Sequence, residues 1–258
     1  KNKKTKVFKW AAVLMLAAMV LFTGCPNAAG GNSGGSNTPP ASAGSYNAAT
    51  GKGVVGGVEF TMKKIAAVTN GTVGYSSESN NEPHTVSLTA YRIGETEVTQ
   101  ELWQKVMGTN PSFFDNTGNK SEGGTSYDTS PASGETQGKR PVEQVNWYQC
   151  IAFCNKLSKL CNLDPCYTVT GVNFDTLNFS AIPTSDDSNW NNAVCDWSKN
   201  GFRLPTEAEW EWAAKGGKEY KWAGTDEADK LKDYAWYSAN SNNQTHEVKK
   251  RTANGYGL

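Results

Sequence analysis

Hydrophobic and polar positions change period several times along this chain, and each change marks an element. Val58-Glu59-Phe60-Thr61-Met62 alternates apolar and polar residues, as a half-buried strand does. His84 to Arg92 alternates similarly, with Val86, Leu88 and Ala90 on one face. The period then lengthens. Leu102, Trp103, Val106 and Met107 fall on one helical stripe, with Thr99 as the cap and Gly108 as the stop. A second stripe, Trp147, Cys150, Ile151, Cys154, Leu157 and Cys161, predicts a helix to about Leu160, opened by Asn146 with Gln149 three residues on. Residues 115–139, polar and Gly/Ser-rich, and 171–192, polar and irregular, read as loops. Cys166 to Thr170 reads as a strand. Ala193–Trp197 and Phe202–Leu204 are expected to pair around Asn200-Gly201, a favoured hairpin turn.

The stretch GFRLPTEAEWEWAAKGG, residues 201–217, carries the most complete local instructions. Pro205 forces Leu204 into an extended conformation. Thr206 and Glu209 form a T-x-x-E capping box. Glu207, Glu209 and Glu211 place negative charge where the helix dipole favours it, and Glu211 can pair with Lys215. Gly216 stops the helix. Trp210, Ala213 and Ala214 are the expected buried face, and a buried tryptophan removes about 150–250 Å² from water. Two amphipathic helices, short strands and long loops make an α+β pattern without internal repeats.

The N-terminal pattern differs. Five lysines precede an apolar run from Ala11 to Phe22, too short to span a membrane comfortably, and Phe22-Thr23-Gly24-Cys25 follows. Residues 1–25 therefore read as a lipoprotein signal outside the fold. Cys25 is the expected lipid attachment site and membrane lipid the expected partner, which makes the protein anchored and not spanning. Residues 26–57, rich in Gly, Ser, Asn, Ala and Pro, read as a flexible tether. The folded domain is then 58–258, held at the bacterial cell envelope outside the cytoplasm, with the outer membrane or cell surface as the expected site.

Charge narrows the partners. The chain has 25 basic and 25 acidic residues, and the signal holds five of the basic ones and none of the acidic ones. The mature excess of negative charge argues against nucleic acid, whose phosphates are bound by Lys and Arg. With Cys25 consumed, Cys150, Cys154, Cys161, Cys166 and Cys195 remain, an odd number in a disulfide-permissive location. Their spacing is not that of a zinc site. Core packing and a disulfide such as Cys154–Cys166 both stay open. Gly51-Lys52-Gly53-Val54-Val55-Gly56 fits a dinucleotide motif but follows a tether and precedes a strand, so a linker is the expectation. Asp226-Glu227-Ala228-Asp229 has no phosphate-binding loop to accompany it. His84 and His246 read as isolated surface histidines, and no nucleophilic triad can be assembled.

The 201–217 stretch resembles the signature of the formylglycine-generating enzyme (sulfatase-modifying factor) family. Tyr91-Arg92-Ile93-Gly94-Glu95-Thr96-Glu97-Val98-Thr99 and Arg140-Pro141-Val142-Glu143-Gln144-Val145-Asn146-Trp147 resemble its first two motifs. Tyr220-Lys221-Trp222-Ala223-Gly224, Tyr237-Ser238-Ala239-Asn240 and Asn254-Gly255-Tyr256-Gly257-Leu258 continue the match. The resemblance implies a C-type-lectin-like fold of the formylglycine-generating-enzyme subtype, irregular α+β, with two main helices, that at 207–214 among them, and a small sheet. It implies a domain that is C-terminally incomplete at Leu258, because the copper-binding redox cysteines of catalytic members lie further on. None of the five mature cysteines matches them, so no catalytic residue is assigned. Two functions follow from the resemblance. One is a non-catalytic surface lipoprotein that binds a protein or small-molecule ligand, as in the variable lipoproteins of diversity-generating retroelements. The other is an exported, copper-dependent oxidase that converts a sulfatase cysteine to formylglycine. It also implies a structural calcium with Asn240, Asn254 and the Gly257 carbonyl as candidate ligands.

Overall fold

The computed structural model describes residues 20–21, 44–76 and 80–258. In chain order the strands are Val20–Leu21 (β1), Gly44–Asn47 (β2), Lys52–Val55 (β3), Val58–Ile65 (β4), Val68–Val73 (β5), His84–Leu88 (β6) and Tyr91–Gly94 (β7). Asn119–Glu122 (β8), Thr125–Asp128 (β9), Tyr167–Thr168 (β10), Val194–Cys195 (β11) and Phe202–Arg203 (β12) complete them. The helices are Gln100–Met107 (α1), Trp147–Leu160 (α2), Ser188–Asn191 (α3), Glu207–Ala214 (α4) and Leu231–Tyr234 (α5). The main sheet runs β12-β1-β7-β4-β3-β2, with the described pairs antiparallel. Cys25 and most of the expected tether lie outside the described residues.

This sheet separates two cores, because alternate residues of a strand face opposite sides. From β4, Met62 joins Val55, Leu102, Trp103, Ile151, Phe153 and Phe202 on the side of α1 and α2. Ile65, three residues on, joins Tyr91, Ile93, Trp212 and Ala213 on the other side. The register agrees: Ile65 faces Tyr91 and Lys63 faces Ile93. Trp103 is fully buried and stacks on Phe153, ring centroids 4.8 Å apart and planes 3° apart, which locks α1 to α2. Both caps form as the sequence predicts: Thr99 accepts from Leu102 N–H, and Asn146 and Gln149 make a reciprocal box.

Several expectations are corrected. The tether ends earlier than residue 57, because β2 and β3 form a hairpin that extends the sheet from Gly44. Lys52–Val55, read as part of a linker, is a strand whose Gly53 lies beneath the Phe60 ring. A methyl on Gly53 would lie 2.2 Å from that ring, so the glycine that looks like linker chemistry admits the aromatic. The segment read as a signal also supplies β1, which pairs with both β7 and β12, and processing before Cys25 would take this strand away and leave β7 and β12 as facing edges. The run from His84 to Arg92 divides into β6, which pairs with β5, and β7 in the main sheet. Residues 115–139 contain the β8–β9 hairpin. Val194–Cys195 pairs with Tyr167–Thr168, and Phe202–Arg203 joins the main sheet, so the hairpin around Asn200-Gly201 does not form.

Helix α4 has the predicted capping box and the Glu211–Lys215 pair, at 2.7 Å. Its buried face is different. Glu209, Glu211, Trp212 and Ala213 are buried, while Trp210 and Ala214 are only half-buried. Two carboxylates are inside because each has a partner. Glu209 takes a two-pronged bond from Arg203, and Glu211 accepts from Lys215, Asn81 and the Gly74 N–H. As expected, α4 packs on the sheet: it closes the core of Ile65, Tyr91 and Ile93, where the Trp212 ring also fills the space a side chain at Gly71 would need, while α1 and α2 share the core on the other side.

The tryptophans separate by burial, and this makes a test. Trp103→Ala should cost about 3–5 kcal/mol. Trp147→Ala, at a ring 45% exposed, should cost about 0.5 kcal/mol or less. Urea unfolding at constant slope measures both, and equal costs would contradict the core assignment.

Candidate functional site

The turn that links β7 to α1, Gly94-Glu95-Thr96-Glu97-Val98-Thr99, forms one wall of a cleft of about 390 Å³. Residues 59–62 of β4, Glu101 and Leu102 of α1, Lys139, and residues 247–250 form the rest. The walls are held by backbone. Glu95 N–H donates to the Thr61 carbonyl at 2.8 Å, and Val248 N–H donates to the Lys139 carbonyl at 3.0 Å.

The 245–251 segment is pinned on its outer side. Buried Arg140 donates through Nε to Thr245 Oγ1 at 2.9 Å and through Nη1 to the Thr129 carbonyl at 2.7 Å, with its guanidinium over the Phe114 ring. His246 bridges Glu135 at 3.0 Å and the Ser241 carbonyl at 2.9 Å, and its ring stacks on Trp236 at 3.7 Å. Arg251 covers Trp236, 3.4 Å from the ring centroid. Glu135 also accepts from Glu247 N–H, and Glu247 accepts from Thr136 N–H. His246 is thus buried and paired, which corrects the reading of an isolated surface histidine. His84 is exposed, with its Nδ1 beside the Glu82 carbonyl oxygen.

These anchors hold Lys249 in the left-handed region at φ 64°, a conformation a non-glycine residue adopts only when its surroundings impose it. Its ammonium meets Glu95, which also pairs with Lys63 at 2.9 Å. Burial pushes the Glu95 carboxyl up, but hydrogen bonds from Lys249 and Lys63 outweigh it and hold the group below the usual carboxylate range. Glu97, two residues on, is raised by burial, and its own backbone amide offsets this only in part. One cleft thus holds a carboxylate committed to two lysines beside a second, Glu97, that is raised above the usual carboxylate range. The arrangement can receive groups of either charge.

The residues expected from sequence lie elsewhere. Asn254 donates to the Ala213 and Ala214 carbonyls and accepts from Tyr256 and Leu258 N–H, so it fastens the end of α4 to the last turn of the chain. Gly257 shares that turn, at φ 78°, and a Cβ there would sit 3.3 Å from the Lys63 ammonium. Asn240 lies in another turn, accepting from Tyr237 N–H and donating to the Ala235 carbonyl. Both Asn side-chain oxygens are engaged with backbone N–H groups. Among the described residues no group of three or more His, Cys, Asp or Glu could hold a metal ion. The cleft itself was not assigned from sequence. Its only signals were the acidic pair of the first motif and the basic run Lys249-Lys250-Arg251, which lie far apart in the chain.

The family model for the sulfatase-modifying factor enzyme 1-like domain matches residues 52–258. This chain belongs to that family. Variable protein 1 of Treponema denticola is 59% identical, with a TM-score of 0.73, over 80% of this chain and 71% of that one. Chaperone protein LppX of Paenibacillus barcinonensis is 32% identical over 216 residues, covering 77% of this chain and 68% of its own. The crystal structure of CarF matches at a TM-score of 0.50 and 24% identity, over 77% of this chain and 75% of that one, a likeness of fold. The α+β architecture of a sulfatase-modifying-factor domain is thus present, with the first family motif forming the cleft wall and the second supplying Arg140.

The pH response of this domain follows from Glu95. A depressed carboxylate contributes stability that is fully present above its unfolded value of about 4.3 and lost as the pH falls through the lower folded value. Hydrogen exchange at the Val248 amide should therefore be protected at pH 6 and accelerate, beyond the intrinsic pH trend, below about pH 4. Unchanged protection down to pH 3 would mean that the Glu95 pairs do not hold this segment.

Proposed function

We propose that this protein is a lipid-anchored, exported binding protein whose sulfatase-modifying-factor domain recognises a polypeptide or small ligand without catalysing formylglycine formation. The observation that carries this reading is the lining of the cleft, where Glu and Lys side chains of both charges, and Thr, stand beside the apolar Phe60, Met62, Val98 and Leu102. Such a lining reads charge and hydrogen bonds. Copper-dependent oxidation of a cysteine requires soft thiolate ligands, and burial pushes up the thiols of Cys150, Cys154 and Cys161, on or at the end of α2, which suits them to core packing.

Opposite charges set side by side suit a polypeptide, which offers both signs along an extended backbone. A relative named as a chaperone supports that class of partner. Anchoring at the bacterial cell envelope rests on Phe22-Thr23-Gly24-Cys25, with Cys25 carrying the lipid. Among the described residues no helix is long and apolar enough to cross a membrane.

Three readouts test the reading together. Labelled palmitate should enter the wild type and not Cys25→Ser. A cysteine peptide of the kind sulfatases carry should gain no aldehyde when incubated with the protein, Cu(I), a thiol reductant and oxygen. A bead library of mixed-charge peptides should be retained by the wild type and about tenfold less by Lys249→Gln. Conversion of the cysteine to an aldehyde would replace this function with the oxidase, and equal retention would remove the cleft from it.

A further inference from the structure

The family comparison leaves five thiols without a role, and two of them are placed differently from the others. Cys166 immediately precedes β10 and Cys195 ends β11. Tyr167 faces Cys195 in the register, and Asp196 N–H donates to the Cys166 carbonyl at 2.8 Å, so the two chains are fastened on both sides of the cysteines. The two thiols stand close enough for each to shift the other's ionisation. Cys166 is buried and Cys195 half-buried, so one sulfur is sheltered and its neighbour can be reached from solvent.

We propose that Cys166 and Cys195 form a reversible disulfide that closes the 166–195 loop. The three other thiols fit the role less well. Cys150, Cys154 and Cys161 stand on or at the end of α2, and Cys154 is fully enclosed in the core.

The chemistry has a direction. The neighbouring Cys166 sulfur lowers the Cys195 thiol, and the nearby Arg203 charge adds to this, so Cys195 is the more readily ionised of the two. Cys166 is raised. The oxidant is an external disulfide, such as oxidised glutathione or a disulfide-exchange protein. The Cys195 thiolate attacks one sulfur of that disulfide, forms a mixed disulfide and expels the first thiolate. Cys166 then gives up its proton and attacks the Cys195 sulfur, expelling the second. Two electrons pass to the external disulfide, which leaves as two thiols carrying both protons.

The closed loop spans roughly 30 residues and carries Phe174, Ile182 and Trp190 into the core. Cross-linking it removes freedom from the unfolded chain, and the expected gain in melting temperature is about 10 °C.

The test uses the detergent-solubilised protein equilibrated with oxidised or reduced glutathione, followed by thiol trapping and peptide mapping. In the oxidised sample the Cys166 and Cys195 peptides should be joined. The melting temperature should fall by about 10 °C on reduction in the wild type and in Cys150→Ser. It should not respond to reduction in Cys195→Ser. Alkylation of both cysteines under oxidising conditions, or a link that contains Cys154, overturns the proposal. The mapping is done on the wild type, so the result stands even where Cys195→Ser fails to fold.

Discussion

One buried carboxylate organises the middle of this molecule. Glu209 accepts from both terminal nitrogens of Arg203, at 2.7 and 2.8 Å, and from the Thr206 N–H at 2.8 Å. Both side chains are nearly inaccessible, 1% and 6% exposed. An isolated buried charge costs several kcal/mol, so neither residue is tolerable without the other. Their pairing fixes the angle at which β12 turns into α4. Tyr91 reaches across from β7 and donates its hydroxyl to the Glu209 carbonyl at 2.6 Å, which attaches the same junction to the sheet. The Arg203 guanidinium also lies 4.3 Å from the centre of the Trp197 ring.

From that junction the rest follows. Placing α4 against β5 buries Trp212 and Ala213 and creates the second core. The end of α4 is then close enough for Asn254 to hydrogen-bond its last carbonyls, which brings the final turn of the chain back to Lys63 and hence to Glu95. The cleft is therefore a tertiary product. Its wall is the first family motif, its floor is β4, and its opposite side is a segment held by Arg140, Glu135 and the stack on Trp236.

Local instructions were legible in the sequence. The caps at Thr99, Asn146 and Thr206 depend on residues three apart, and each forms as read. The stripe that carries Trp103 and Leu102 also faces the core as its period requires. Non-local choices were not legible. The face α4 buries is set by Arg203 and Lys215 pairing with glutamates, which hydrophobicity alone assigns to solvent. The β2–β3 hairpin hides in a Gly/Ser-rich stretch because Gly53 has to admit the Phe60 ring, and a glycine signals a linker equally well. His246 looked solitary because Glu135, its partner, lies 111 residues away. Lys249 and Glu95 are 154 residues apart, so no window along the chain could show the site.

The most direct measurement is a double-mutant cycle on the buried pair, with urea unfolding of Arg203→Met, Glu209→Gln and the double variant. Glu209→Gln keeps one oxygen acceptor for the Thr206 N–H and Arg203 Nη1 but removes the charge and the acceptor for Arg203 Nη2. Each single change should cost about 3–5 kcal/mol, and the double should cost at least about 2 kcal/mol less than their sum, because losing both charges strands neither. Single costs near 1 kcal/mol that simply add would show that this junction does not hold the two cores together.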